Sequence, residues 1–254
     1  MREIMISRKA LIIGSPDKKI PGVNIDTANM NSFLKSAIGG AWKESEIINL
    51  TNPSKNIVIS NINQLEKYDY SFVFFAGHGY YSTSKDCTVI SINRSETLDS
   101  TLLRKGSPKH TLILDCCMEL VDEQNLNEAA FESMVYDSAT TQYIDIQECR
   151  KYFDKKIKES NLGLVVMNSC DLNEYAGENE KRGGYYTSSL IKSARDWADK
   201  KLVTINLQKN YATYSTKKSH DSASTIVKRL SADRQNPVYE GPRSDSSFPF
   251  TIVA

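Results

Sequence analysis

The sequence predicts an α/β fold, a mostly parallel central sheet with helices on both faces. Three observations carry this. Short apolar runs recur along the chain, stretches with helical spacing lie between them, and one run, "YSFVFFAG" (70–77), is apolar on both faces and so needs cover from two sides.

"KALIIG" (9–14) is a buried-type strand closed by glycine. From Asp26 to Ile38 the residues Ala28, Met30, Phe33, Leu34, Ala37 and Ile38 fall near one helical face, with "GG" at 39–40 as the stop. "EIINL" (46–50) is a second strand, and Pro53 opens a helix carrying Ile57, Ile62 and Leu65. After "YSFVFFAG" come "CTVISI" (87–92) as a strand, "SETLDSTLLRK" as a short helix capped by Ser95, and the strands "HTLILDCC" (110–117) and "LGLVVMNSC" (162–170). "GGYYTSSLIKSARDWADK" is a helix, the next thirty residues are helical in parts, and a terminal apolar segment closes the chain. The expected organisation is one domain over 1–254, with 122–160 an excursion or linker and 201–254 an extension of the same domain.

Composition narrows the function. Lys and Arg total 32 against 31 Asp and Glu, so no net field favours nucleic acid or an anionic membrane. The five cysteines (87, 116, 117, 149 and 170) show no paired spacing for zinc, and they suit a reducing cytosol. No stretch has a signal-peptide core or membrane-spanning length, so a cytoplasmic protein is expected.

The chemistry gathers where three strands end. "GHG" follows one, "DCC" closes the next and "SCDLNE" follows the last, and in a parallel sheet the loops at the carboxyl ends share one crevice. A histidine beside a thiol makes a nucleophile, so His78 pairs with a cysteine at 116 or 117. Strand alternation sends one of those two cysteines into the core. Gly79, without a β-carbon, can bring its N–H close to a developing oxyanion, together with the N–H of the nucleophilic cysteine.

"FVFFAGHG" followed by "LILDCC" resembles the caspase, metacaspase and paracaspase superfamily of cysteine peptidases, bacterial members above all. "GVNIDTANMNSFL" and "NSCDLNEYAGENEKRGGYYTSSLI" extend the likeness over residues 8–200. The resemblance implies a caspase-like sandwich with Cys117 as nucleophile, His78 as base and later acid, and Cys116 left to the core. It makes Asp115 the floor of a pocket for Arg or Lys, with Asp171 as its partner and Glu174 as the competing candidate. "MEL" after Cys117 departs from the family's usual continuation, which puts the shape of that loop in doubt.

The expected partner is a protein or peptide with a basic residue before the scissile bond, with an activating protein as a further partner. No cofactor or metal is expected, and calcium activation stays open. By analogy the role is regulated bacterial cell death or antiphage defence. The alternatives are a silent caspase-like scaffold and another Cys-His amide hydrolase.

Plainer readings stand beside these. His78 could be a strand-end histidine satisfied by a carbonyl, and Asp115 an ion pair or cap. Cys87, Cys149 and Cys170 read as inert thiols, and His110 and His220 as surface or structural. Over 122–160, autocleavage at Arg150 or Lys151 competes with a packed helix in "IDIQECRKYFDKKI", and the apolar spacing favours the helix.

Overall fold

The computed structural model describes residues 6–116, 145–179, 181–206, 210–242 and 248–254. In chain order, β1 (Arg8–Ser15) leads through α1 (Val23–Lys35) to β2 (Ile47–Thr51), α2 (Lys55–Leu65) and β3 (Tyr70–Gly77). Three short strands follow, β4 (Gly79–Ser82), β5 (Cys87–Ser91) and β6 (Thr97–Asp99), before β7 (Lys109–Cys116). Next come α3 (Ile146–Glu159), β8 (Gly163–Asn168), the two-residue strands β9 (Glu178–Asn179) and β10 (Gly183–Gly184), and α4 (Tyr185–Thr204). The last elements are β11 (Ala212–Ser215), α5 (Thr216–Leu230), β12 (Val238–Glu240) and β13 (Pro249–Val253).

The central sheet runs β12-β8-β7-β3-β1-β2. Its pairs are parallel except for the antiparallel edge strand β12. This is the mixed α/β architecture expected, and period-two alternation divides its core. Ala10, Ile12, Phe72, Phe74 and Ile113 face α1, α3, α4, α5 and β13. Leu11, Ile13, Val73, Phe75, Leu112 and Leu114 face α2 and the β5–β6 layer. A two-sided strand such as "FVFF" is apolar because each of its faces has a cover.

Two local expectations need correcting. The helix expected from Ser95 is instead β6, pairing Thr97 with Ser91 and Leu98 with Ile90, followed by a 3-10 turn over Ser100–Arg104. Asp99 starts that turn by accepting from Thr101 N at 3.0 Å, so the strand pairing and the Asp cap win over helical spacing. The first helix also ends earlier than expected, at Lys35, because Ser36 turns extended. The glycine at 39 still has a task, since a β-carbon there would lie 1.9 Å from Phe33 O.

Residues 146–159 form the packed helix that the apolar spacing favours, with Cys149, Phe153 and Ile157 buried. Arg150 donates to Ala41 O at 2.9 Å and pairs with Glu46, which ties it to the body of the protein. Residues 122–144 of the expected excursion lie outside the described residues. Beside α3, Arg8 is wholly buried: it donates to Gly40 O at 2.6 Å, pairs with Asp154 at 3.1 Å and lies over Trp42. Burial lowers its pKa to about 10, against the raising influence of Asp154.

Candidate active site

The carboxyl ends of three central strands finish at one level. In the parallel register Ser15 of β1 pairs with Gly77 of β3, and Gly77 pairs with Cys116 of β7. Beyond β8, Ser169 continues the seam, donating from its N–H to Leu114 O at 2.9 Å. Its Oγ accepts from Cys116 N at 3.2 Å. Cys116 itself is buried in the apolar layer with Leu114 and Leu11, so it packs as core. Cys117 lies outside the described residues.

His78 follows β3 directly, with 28% of its side chain accessible. Its Nε2 is 3.0 Å from Oδ2 of Asp17, a residue on the loop leaving β1. The backbone of His78 is fixed as well, because its carbonyl accepts from Ser91 N at 2.9 Å. That bond makes 78/91 a hydrogen-bonded couple of the antiparallel β4–β5 ladder, so the next couple, Gly79 and Ile90, is of the non-bonded kind. The N–H of Gly79 therefore points off the ladder.

Asp115, the penultimate residue of β7, is buried and accepts from Thr187 N at 3.0 Å and Thr187 Oγ1 at 2.5 Å. Thr187 lies in the first turn of α4, whose own N-cap position is Gly184 and offers no side chain. Asp115 thus caps a helix from a different element. Asp26 of α1 is buried just as deeply and accepts from Gly184 N at 2.9 Å. A β-carbon on Gly184 would lie 2.7 Å from Asp115 Oδ2 and 3.3 Å from Asp26 Oδ2, so the two carboxylates close on one backbone atom.

Capping accounts for one acid at such a place, but a second buried acid is costly there. The carboxyl of Asp26 is pushed well above its ordinary value, by burial first and then by the charge of Asp115. Burial raises Asp115 too, against the lowering bonds from Thr187 and Ser169. Such a pair either holds a proton or receives a cation.

Asp171 is exposed on the loop after β8, its carboxylate accepting from Leu172 N at 2.7 Å. Glu174 is spent locally, accepting from Asn236 N at 2.6 Å, Asn236 Nδ2 at 2.5 Å and Asp171 N at 3.1 Å. The structure thus sets Asp26, which spacing alone did not single out, beside Asp115. One signal was available: the buried positions of α1 are Val23, Asp26, Met30, Phe33 and Leu34, so Asp26 is an acid inside an apolar stripe. Asp17 was likewise passed over, and nothing in "GSPDKK" separates it from a turn residue.

The remaining candidates are structural. His110 bonds Ser71 Oγ at 2.6 Å and Leu103 O at 2.9 Å, and His220 bonds Tyr186 OH at 2.7 Å. Cys87, Cys149 and Cys170 are buried, Cys170 donating from Sγ to Cys116 O at 3.4 Å, and burial pushes the Cys149 thiol up to about 11. Among the described residues no group of three or more His, Cys, Asp or Glu is placed to hold a metal ion, and no helix is long and apolar enough to cross a membrane.

A mostly parallel sheet of this order, with a histidine leaving one central strand and Asp115 and Cys116 ending its neighbour, defines a caspase-type fold. The family model described as the caspase domain matches residues 7–246, and the chain belongs to that family of cysteine peptidases. A search of curated proteins returns no match.

Proposed function

We propose that this chain is a cysteine endopeptidase cleaving after Arg or Lys, with His78 and Cys117 as its dyad. The observation that carries the reading is the register of Gly77 with Cys116, because His78 and Cys117 directly follow these two paired strand-end residues in the sequence. His78 takes the thiol proton of Cys117, and the thiolate attacks the scissile carbonyl. The outward N–H of Gly79 and that of Cys117 hold the oxyanion, each such donor contributing about 2.7–4 kcal/mol. His78 returns its proton to the leaving amine, then activates the water that releases the acyl group.

The buried pair Asp26 and Asp115 supports the preference for a basic residue, since a guanidinium or ammonium would balance one carboxylate while the other keeps its proton. Asp171, exposed and turned to its own loop, would take at most a peripheral part. Localisation in a reducing cytosol fits the free thiols. A part in bacterial cell death or antiphage defence rests on the resemblance, and phage plating of wild type against Cys117→Ala tests it.

A panel of coumarin peptides ending in Arg, Lys, Asp or Leu, with and without calcium, tests the activity. Release from Arg and Lys peptides alone, abolished in Cys117→Ala and blocked by an arginyl chloromethyl ketone, is the expected result. No release from any basic peptide would sink the endopeptidase reading and leave a scaffold or another amide hydrolase.

A further inference from the structure

Asp17 is fixed before it meets His78. Its Oδ1 accepts from Lys19 N at 2.7 Å and Ile20 N at 3.1 Å, leaving Oδ2 to reach His78 Nε2 at 3.0 Å. We infer that Asp17 is a positioning residue that holds His78 as its Nε2–H tautomer and so makes Nδ1 the nitrogen that takes the thiol proton. A carboxylate only accepts, so the nitrogen facing it carries the hydrogen. The other nitrogen then carries the lone pair that can accept a proton. The inference rests on the dyad reading above.

The geometry around the anion supports a standing charge. Burial raises the carboxyl of Asp17, but the bonds from Lys19, His78 and Ile20 outweigh it, and the group is held below its ordinary 3.8. During attack the proton moves from the Cys117 sulfur to His78 Nδ1, the hydrogen on Nε2 stays in place, and Asp17 remains ionised opposite the imidazolium. Because the anchor uses N–H donors on Oδ1, an asparagine at 17 must set its oxygen there and turn its NH2 on Nε2. That forces the hydrogen onto Nδ1, the wrong tautomer. Alanine merely removes the preference.

The test measures the full-length protein in Cys117→Ala background by long-range 1H–15N correlation of labelled histidines, and peptide turnover with Cys117 intact. Wild type should show His78 protonated on Nε2 at neutral pH, and Asp17→Asn should show it on Nδ1. Turnover should fall at least 100-fold in kcat for Asp17→Asn and less for Asp17→Ala, with KM within threefold and unchanged melting temperature. A structural role would give the opposite order, since asparagine preserves the anchor better than alanine. An Nδ1–H tautomer in the wild type would overturn the inference, as would His78→Ala losing activity while both Asp17 variants keep theirs. A fully active His78→Ala would overturn the dyad and this inference together, whereas the tautomer is read without turnover.

Discussion

Asp26 and Asp115 come from a helix and a strand far apart in sequence, and both carboxylates close on the backbone of Gly184. Asp115 caps α4 through Thr187, and Asp26 accepts from the N-cap N–H of Gly184, so one helix start holds two buried acids. Under the proposed specificity, this acid pair is the feature that a basic substrate residue would meet.

Cap and pocket separate by substitution. Asp115→Asn keeps an acceptor for Thr187 and should leave stability nearly unchanged, whereas Asp115→Ala should cost about 1–2 kcal/mol as the cap is lost. Either change should lower kcat/KM on Arg peptides by ~30-fold or more, the scale for losing one partner of a buried charge pair. Asp171→Asn should fall within about threefold of wild type. Urea denaturation with kinetics on one Arg substrate reads all three.

The same pair sets a pH slope. Both folded carboxyls sit above their ordinary 3.8, so the folded state keeps protons that the unfolded chain gives up. Their contribution is greatest at or below that value and declines as pH rises toward their folded pKa. Asp26→Asn should flatten this decline and stabilise the protein near neutrality by about 1 kcal/mol, the usual scale of relief at a functional site. Melting temperature against pH, wild type beside variant, checks it.

His110 and His220 act in the opposite direction. Burial lowers each to about 4 from 6.5, so the unfolded chain binds the extra protons. Each contributes about 3 kcal/mol above pH 6.5, and that stability is lost as pH falls through the folded pKa near 4. His220→Gln should remove about half of this acid dependence. Urea midpoints between pH 7 and 4 report it.

At the far side of the sheet, Asp154→Ala would leave Arg8 buried beside Trp42 without its 3.1 Å partner. The expected loss is about 3–5 kcal/mol, while the double change Arg8→Met with Asp154→Leu should be better tolerated because neither charge of the pair is then left buried alone. Activity at a temperature below melting should survive in both, since the cluster lies away from His78.

The two cysteines should also part company. Cys116→Ser places a hydroxyl in the apolar layer beside Leu114, with an expected cost of about 1–3 kcal/mol and activity retained. Cys117→Ser should keep the fold and lose at least 1,000-fold in turnover.

The sheet was legible in the sequence because its strands satisfy two apolar faces: "FVFF" and "LILDCC" have few other uses. His78 and Cys116 could be placed because each ends such a strand. Asp26 was not, because its partners Gly184 and Asp115 are long-range neighbours that no local period encodes. Asp17 hid for a related reason, since a loop aspartate looks the same whether it closes a turn or meets a histidine. The segment 95–104 misled because a strand of three residues is too short for alternation to show against a helical pattern.

The pairing of Gly77 with Cys116 also bears on when the two strand ends come together during folding. Parallel neighbours cannot be joined by a tight hairpin, and here β4–β6 lie between β3 and β7 in the chain. A nascent chain that has emerged only through His78 still lacks the whole of β7, and Cys117 after it in the sequence. Proteolytic competence would arrive with the last central pairings and not before, a timing written into the order of the strands.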